Sequence, residues 1–228
     1  MTSEQTNEYR GLVALLNFMA QDRADISFAS KEVSKHMSSP KKEHLVALKR
    51  VGRYLQKYPR CVMLYSWQEP VSEMTVFTDS DWGGDVKTRK NTSGGCIMRG
   101  LHLIAHWCRT QQAIALSSCE AELNGICKAA TEGLGAKNLT IELGMEENLE
   151  IKTDASAAVG VIQRQGAGKI KHLEVKQLWV QEQEKKKAVK MMKNPRERNY
   201  ADLMTHHWSS VEGEKMLAGM GLVRRGAT

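Results

Sequence analysis

Aromatic residues are scarce in this 228-residue chain, 6% in all, and there are only four prolines. No apolar run approaches the roughly 18–20 residues that a membrane-spanning helix requires. The polar opening MTSEQTNEYR has none of the apolar core of a secretory signal peptide. Five cysteines (Cys61, Cys96, Cys108, Cys119, Cys127) make an odd number with no C-x-x-C pair. That pattern argues against a zinc site or a disulfide framework and for reduced thiols in the cytosol or nucleus. Internal repeats and low-complexity tracts are absent. With 41% hydrophobic and 26% charged residues, the composition is that of a soluble globular protein of one large or two modest domains, and it excludes whole-chain disorder.

What the chain has in surplus is positive charge, 33 Lys+Arg against 26 Asp+Glu for a net +7. Nearly all of the excess lies between Lys169 and Arg198, where ten basic residues face four acidic ones. A basic segment of this kind favours a polyanionic partner, although charged helices are commonly just solvated.

The first 58 residues read as helical. Leu12, Leu15, Leu16 and Met19 have helical spacing within Tyr9–Ala20, a second helix is predicted over Ile26–Met37, and Ser39-Pro40 reads as the start of a third. Lys42, Lys49, Arg53 and Lys57 line one face of that third helix, either as a solvated surface or as a rail for phosphates. From Cys61 the pattern changes. Strands are predicted over Met74–Asp79, Cys96–Met98, Leu101–Cys108, Leu149–Asp154 and Ala188–Met192. Helices are predicted over Ser117–Leu143, Ala155–Gln163, Glu174–Glu184 and from Asn199 onward. The implied class is α/β, a mixed five-stranded sheet flanked by helices and preceded by a helical N-terminal segment.

Four carboxylates stand at the ends of these elements. Asp79 and Asp154 each close a β-run in a Thr-Asp-small string, TDS and TDA. Turn initiation by the Asp side chain accounts for either alone. Two together point to a site, because strand C-terminal ends border the crevice where α/β sheets bind ligands. Ser117 and Glu120 fit a capping box, which leaves Glu122, about 200° around the helix from Glu120, free to point elsewhere. Asp202 lies near the start of the last helical stretch, where favourable charge at a helix N-terminus is the competing explanation. Clustered carboxylates repel unless a cation neutralises them, and an all-oxygen set suits a pair of Mg²⁺ ions.

The order Asp79, Glu122, Asp154, Asp202 on strand, helix, strand and helix resembles ribonuclease H, specifically the ribonuclease H domain of copia-type LTR retrotransposon polyproteins. The specific strings are Ala115-Leu116-Ser117-Ser118-Cys119-Glu120-Ala121-Glu122 and Ser80-Asp81-Trp82-Gly83-Gly84-Asp85. Tyr9-Arg10-Gly11-Leu12-Val13, Lys171-His172-Leu173-Glu174-Val175 and Ala201-Asp202-Leu203 add to them. The resemblance implies a ribonuclease H-like sheet over residues 69–208, a helical remnant of the reverse transcriptase region over 1–68, and a C-terminal tail over 209–228. It implies cleavage of the RNA strand of RNA–DNA hybrids, with no polymerase activity since the polymerase palm is absent. Asp79, Glu122, Asp154 and Asp202 would hold two Mg²⁺ ions, with Mn²⁺ as an alternative. The setting implied is intracellular, cytoplasmic or nuclear or within a virus-like particle, away from membranes, with the rest of the polyprotein as partner.

The chain also departs from the family's pattern. The stretch before Asp202, Lys193-Asn194-Pro195-Arg196-Glu197-Arg198, holds no His, and Thr205-His206-His207 replaces the usual Thr-Lys-Pro. Asp81 rivals Asp79, because residues two apart on a strand face the same way; Asp79 is preferred as the residue in the string that Asp154 repeats. Substrate contacts are expected from Asn91, Thr92 and Ser93 in a turn after the first strand, from Ser117 and Ser118, and from Lys169, Lys171 and His172. Lys87, Arg89 and Lys90 are expected as further phosphate contacts, with exposed solubilising charge as the competing explanation. Two rival readings remain: a catalytically inactive nucleic-acid-binding remnant of a decayed element, and an exonuclease or integrase-like enzyme on the same sheet.

Overall fold

A computed structural model describes residues 1–164, 166 and 175–226. In chain order the elements are α1 (Ser3–Met19), α2 (Ala24–Ser34), α3 (Lys42–Lys57), β1 (Arg60–Met63), β2 (Glu73–Ser80), β3 (Thr92–Arg99), β4 (His102–Thr110), α4 (Ser118–Glu142), β5 (Asn148–Thr153), α5 (Ser156–Gln163), α6 (Val175–Lys185), β6 (Lys190–Lys193), α7 (Ser210–Gly219) and β7 (Leu222–Arg225). Two 3-10 turns, Arg196–Arg198 and Tyr200–Met204, precede α7. The chain forms two compact units, residues 1–64 with 207–228 and residues 65–206.

In the first unit, Tyr9, Val13 and Leu16 of α1 pack with Ile26 and Val33 of α2 and Leu48 of α3. Tyr9 is fully buried, and its hydroxyl donates to the Val33 carbonyl at 2.7 Å, so its polar end is satisfied. Thr2 caps α1 in a reciprocal box with Gln5, which moves the helix start well upstream of Tyr9. The third helix begins at Lys42, not at Pro40. Its N-terminus is tied by His44 Nδ1, which accepts from the Lys41 N–H at 3.0 Å. Residues 209–228, expected as a tail, form α7 and β7. β7 pairs antiparallel with β1 in the register Arg60↔Arg225 to Met63↔Leu222, a pairing that the first helical segment gave no sign of.

The second unit is built on the sheet β4-β3-β2-β5-β6, with β2 antiparallel to β3 and parallel to β5. It is the expected mixed sheet of five strands with helices packed on it. Val76 and Ile151, both fully buried, meet Leu123, Ile126 and Ala130 of α4 in its core. α4 lies close over β2 because Gly125 has no side chain: a Cβ there would sit 2.5 Å from Ser80 Oγ and 3.2 Å from Thr78 Oγ1. On the other side of β2, Phe77 packs its ring 4.8 Å from that of Tyr200. There Gly94 gives the Tyr200–Met204 turn its room, since a Cβ would lie 2.6 Å from Met204 Cβ and 2.9 Å from the Ala201 carbonyl oxygen. Asp202 therefore rides on a 3-10 turn braced by the sheet and not on the α-helix expected from Asn199. β2 is thus covered on both faces at the end that carries Asp79.

Candidate metal centre

Period-2 alternation along β2 sends Thr78 and Ser80 towards α4 and sends Phe77 and Asp79 towards the Tyr200–Met204 turn. The parallel register Phe77↔Lys152, carried two residues further, sets Asp79 level with Asp154, the residue just past β5. Asp is a poor strand residue, and its place at the C-terminal edge of two parallel neighbours is where the sheet opens to ligands. Glu122 reaches the same point from the second turn of α4. Its helix starts at Ser117, whose hydroxyl accepts from the Glu120 N–H at 3.2 Å. Glu120 answers by accepting from the Leu116 N–H at 2.7 Å, one residue earlier than a strict capping box would have it.

One carboxylate oxygen each from Asp79, Glu122 and Asp154 lie within 4.8 Å of one another. Asp202 adjoins the cluster through a hydrogen bond between its carboxyl and that of Asp79. The four acids expected to converge are therefore drawn to one end of the sheet, three as a compact group and the fourth through its neighbour.

Burial decides the electrostatics. Asp79, Glu122 and Asp202 are all buried, Asp202 almost completely. Desolvation pushes Glu122 up to about 9, helped by the charges of Asp79 and Asp154 and opposed by the Ser80 N–H. Desolvation and the neighbouring Asp79 push Asp202 up to about 8, against Arg196. Asp79 is raised by burial as well, with the Thr205 hydroxyl pulling the other way. Without a cation, Glu122 and Asp202 hold protons at neutral pH. Glu122 Oε2 has no hydrogen-bond partner among the described residues. A buried carboxylate oxygen aimed at two other carboxylates, with no donor to satisfy it, fits a hard divalent cation that takes oxygen ligands.

Asp81 does not share the centre. It lies past the end of β2, where its carboxylate accepts from the Thr92 N–H and closes the 81–91 loop. Asn91, Thr92 and Ser93 are not in an open turn; they are buried at the start of β3. Asn91 Oδ1 accepts from the Gly83 N–H at 2.8 Å, and Ser93 Oγ accepts from Gln111 Nε2 at 2.7 Å. Ser117 and Ser118 are exposed at the head of α4. Lys169, Lys171 and His172 lie outside the described residues.

Sequence reasoning passed over two residues. Thr205, fully buried, donates its hydroxyl to Asp79 from one turn beyond Asp202. Gln111 lies beneath the site: its amide nitrogen reaches Ser93 Oγ and the Ala121 carbonyl at 2.8 Å, while its oxygen accepts from Asn91 at 3.1 Å. Thr205 could have been found from its i+3 spacing after Asp202. Gln111 carried no signal, being an exposed-looking Gln after a strand.

No protein-family model matches the chain. The retrovirus-related Pol polyprotein from transposon RE1 of Arabidopsis thaliana is 35% identical over 138 residues, 60% of this chain and 9% of that protein. The polyprotein from transposon TNT 1-94 of Nicotiana tabacum is 27% identical over 194 residues, 84% of this chain and 14% of that protein. The chain thus spans about a tenth of the length of the polyproteins it matches. Among solved structures, that of LC11-RNase H1 in complex with an RNA/DNA hybrid is similar at a TM-score of 0.43 and 16% identity, over 58% of this chain and 94% of that one. On the strength of the sequence relatives, the chain is a homologue of one part of the retrovirus-related Pol polyproteins of transposons.

Proposed function

We propose that the protein is a divalent-metal-dependent hydrolase that cuts the RNA strand of RNA–DNA hybrids in the cycle of a copia-type retrotransposon. The observation that carries this reading is the convergence of Asp79, Glu122 and Asp154 within 4.8 Å, with Asp202 joined through Asp79. Those four residues would hold Mg²⁺, or Mn²⁺ in its place. When bound, such a pair of ions supplies a water of lowered pKa and stabilises charge on the leaving oxygen. The chain's own contribution is to hold the ligands in place. Thr205 fixes Asp79, the Ser80 N–H fixes one oxygen of Glu122, and the packed turn fixes Asp202. Glu122 and Asp154 would also orient the attacking water, with Glu122 giving up its proton as the site fills. Residues 1–68 are read as the end of the reverse transcriptase region.

The test is to offer the purified chain labelled RNA·DNA, RNA·RNA and DNA·DNA duplexes with Mg²⁺, and to repeat the assay with Asp154→Asn. The expected result is cleavage of the RNA strand of the hybrid alone, leaving 3′-hydroxyl ends, and none by the variant. No product at any Mg²⁺ or Mn²⁺ concentration would leave a binding remnant, and cleavage of DNA strands would favour an exonuclease or integrase-like enzyme.

A further inference from the structure

Three residues beyond Asp79 the chain exposes a large aromatic surface that the fold does not use. Trp82 is 59% exposed, yet the residues on either side of it and its own indole N–H are held. Before it, Asp81 takes the Thr92 N–H on its carboxylate and gives its own N–H to the Thr92 carbonyl at 3.1 Å. After it, the Gly83 N–H is held by Asn91 at 2.8 Å. The indole N–H itself donates to the carbonyl of Ala115 at 3.3 Å, on the segment that leads into the helix of Glu122. On that segment Ile114 and Leu116 are also exposed, at 52% and 70%. Leaving such apolar area in water has a cost, and a rigid loop that holds it there has already lost the freedom that binding would otherwise remove.

The rest of the loop indicates what would cover this surface. Lys87 and Arg89 are exposed and Lys90 half-buried. The loop's two acids shape its backbone: Asp81 holds Thr92, and Asp85 accepts from the N–H groups of Lys87 and Thr88 at 3.0 Å each. A fixed aromatic face beside three cations on the same loop matches nucleic acid, which offers sugar and base faces for stacking and phosphates for charge.

We propose that Trp82 is a substrate-contacting residue: its indole packs on a sugar or base face next to the cut site, and Lys87, Arg89 and Lys90 hold phosphates of the same duplex. This rests on the hydrolase reading above and adds to it the element that would grip the hybrid. Binding and cleavage are therefore tested separately. In the full chain carrying Glu122→Gln, binding of a fluorescein-labelled RNA–DNA hybrid is followed by anisotropy across a salt series. Base–aromatic stacking of about 1–3 kcal/mol corresponds to a loss of about 5- to 150-fold in affinity. Trp82→Ala should fall in that range with its salt slope unchanged, and Trp82→Phe should stay within about threefold of the parent. Lys87→Ala, Arg89→Ala and Lys90→Ala together should lower the log–log salt slope by about two to three. Trp67→Ala, at an indole 83% exposed elsewhere, should bind as the parent does.

Equal affinity of the Trp82→Ala and parent chains, with matching melting curves, would overturn the proposal. So would an equal loss in Trp67→Ala, or a parent that does not bind the hybrid, which would leave the patch to a protein partner. A chain that binds through Trp82 but never cuts would sink the hydrolase reading and keep the contact.

Discussion

At the scale of single residues, the acids are costly to the protein in the absence of a cation. Folding raises the pKa of Glu122 from an ordinary 4.5 to about 9, so across that interval the native state holds a proton that the unfolded chain has lost. Stability of the metal-free protein is therefore greatest below about pH 4.5 as far as Glu122 is concerned, and it declines as pH rises towards 9. Asp202, raised to about 8, acts in the same direction. Thermal melts in EDTA at intervals from pH 5 to 9 should show this decline (general acid denaturation aside), and Glu122→Gln should flatten it. The same variant should lose hybrid cleavage while melting no lower than the parent at pH 8. Since the cation must displace those protons, stabilisation by Mg²⁺ should be larger at pH 8 than at pH 6. Thr205→Val is the complementary case: it keeps the volume and leaves Asp79 without its donor. A loss of about 1–3 kcal/mol in urea unfolding, with slower cleavage, is expected.

At the scale of elements, the site depends on how closely two pieces approach β2. Gly94→Ala would drive a methyl group into Met204 and the Ala201 carbonyl, and backbone cannot yield as a flexible side chain can. Destabilisation of about 1–3 kcal/mol is expected. Displacement of the turn that carries Asp202 should also lower Mg²⁺ affinity, read by calorimetric titration. Unchanged affinity would mean that Asp202 does not depend on that turn. This dependence explains what could be read from the amino acids and what could not. The strands ending in Thr-Asp and the long α4 were legible because alternation and the Ser117 cap are local signals. The close packing of the 3-10 turn was not, because Gly94 and Asp202 are far apart in the chain. Asn91, Thr92 and Ser93 look like turn residues by type, yet they are buried because the loop before them is closed by Asp81 and Gly83. Four-residue β1 and β7 carry too short a pattern to announce a pairing across about 160 positions.

For the whole molecule, the two units should respond separately to damage. Met216, Leu217, Met220 and Leu222 are all buried, so removing residues 209–228 strips the first unit of apolar packing and leaves β1 without its partner. At about 1.5–3 kcal/mol per fully buried side chain, that loss exceeds what a small unit tolerates. Scanning calorimetry of the truncated chain should show the first unit's transition weakened or gone. Hybrid cleavage should survive, since the acids all belong to residues 65–206. A truncated chain that lost both would show that the units fold as one.

The β1–β7 ladder also sets an order of events during translation. Arg60–Met63 emerge from the ribosome early, but their partners Leu222–Arg225 are made only after more than 150 further residues. Every residue from 65 to 206 is available before that strand closes, so the second unit can be complete on a nascent polypeptide whose first unit still waits for its last strand. A frameshift or early stop between the two would release a folded second unit attached to a first unit that lacks its closing strand.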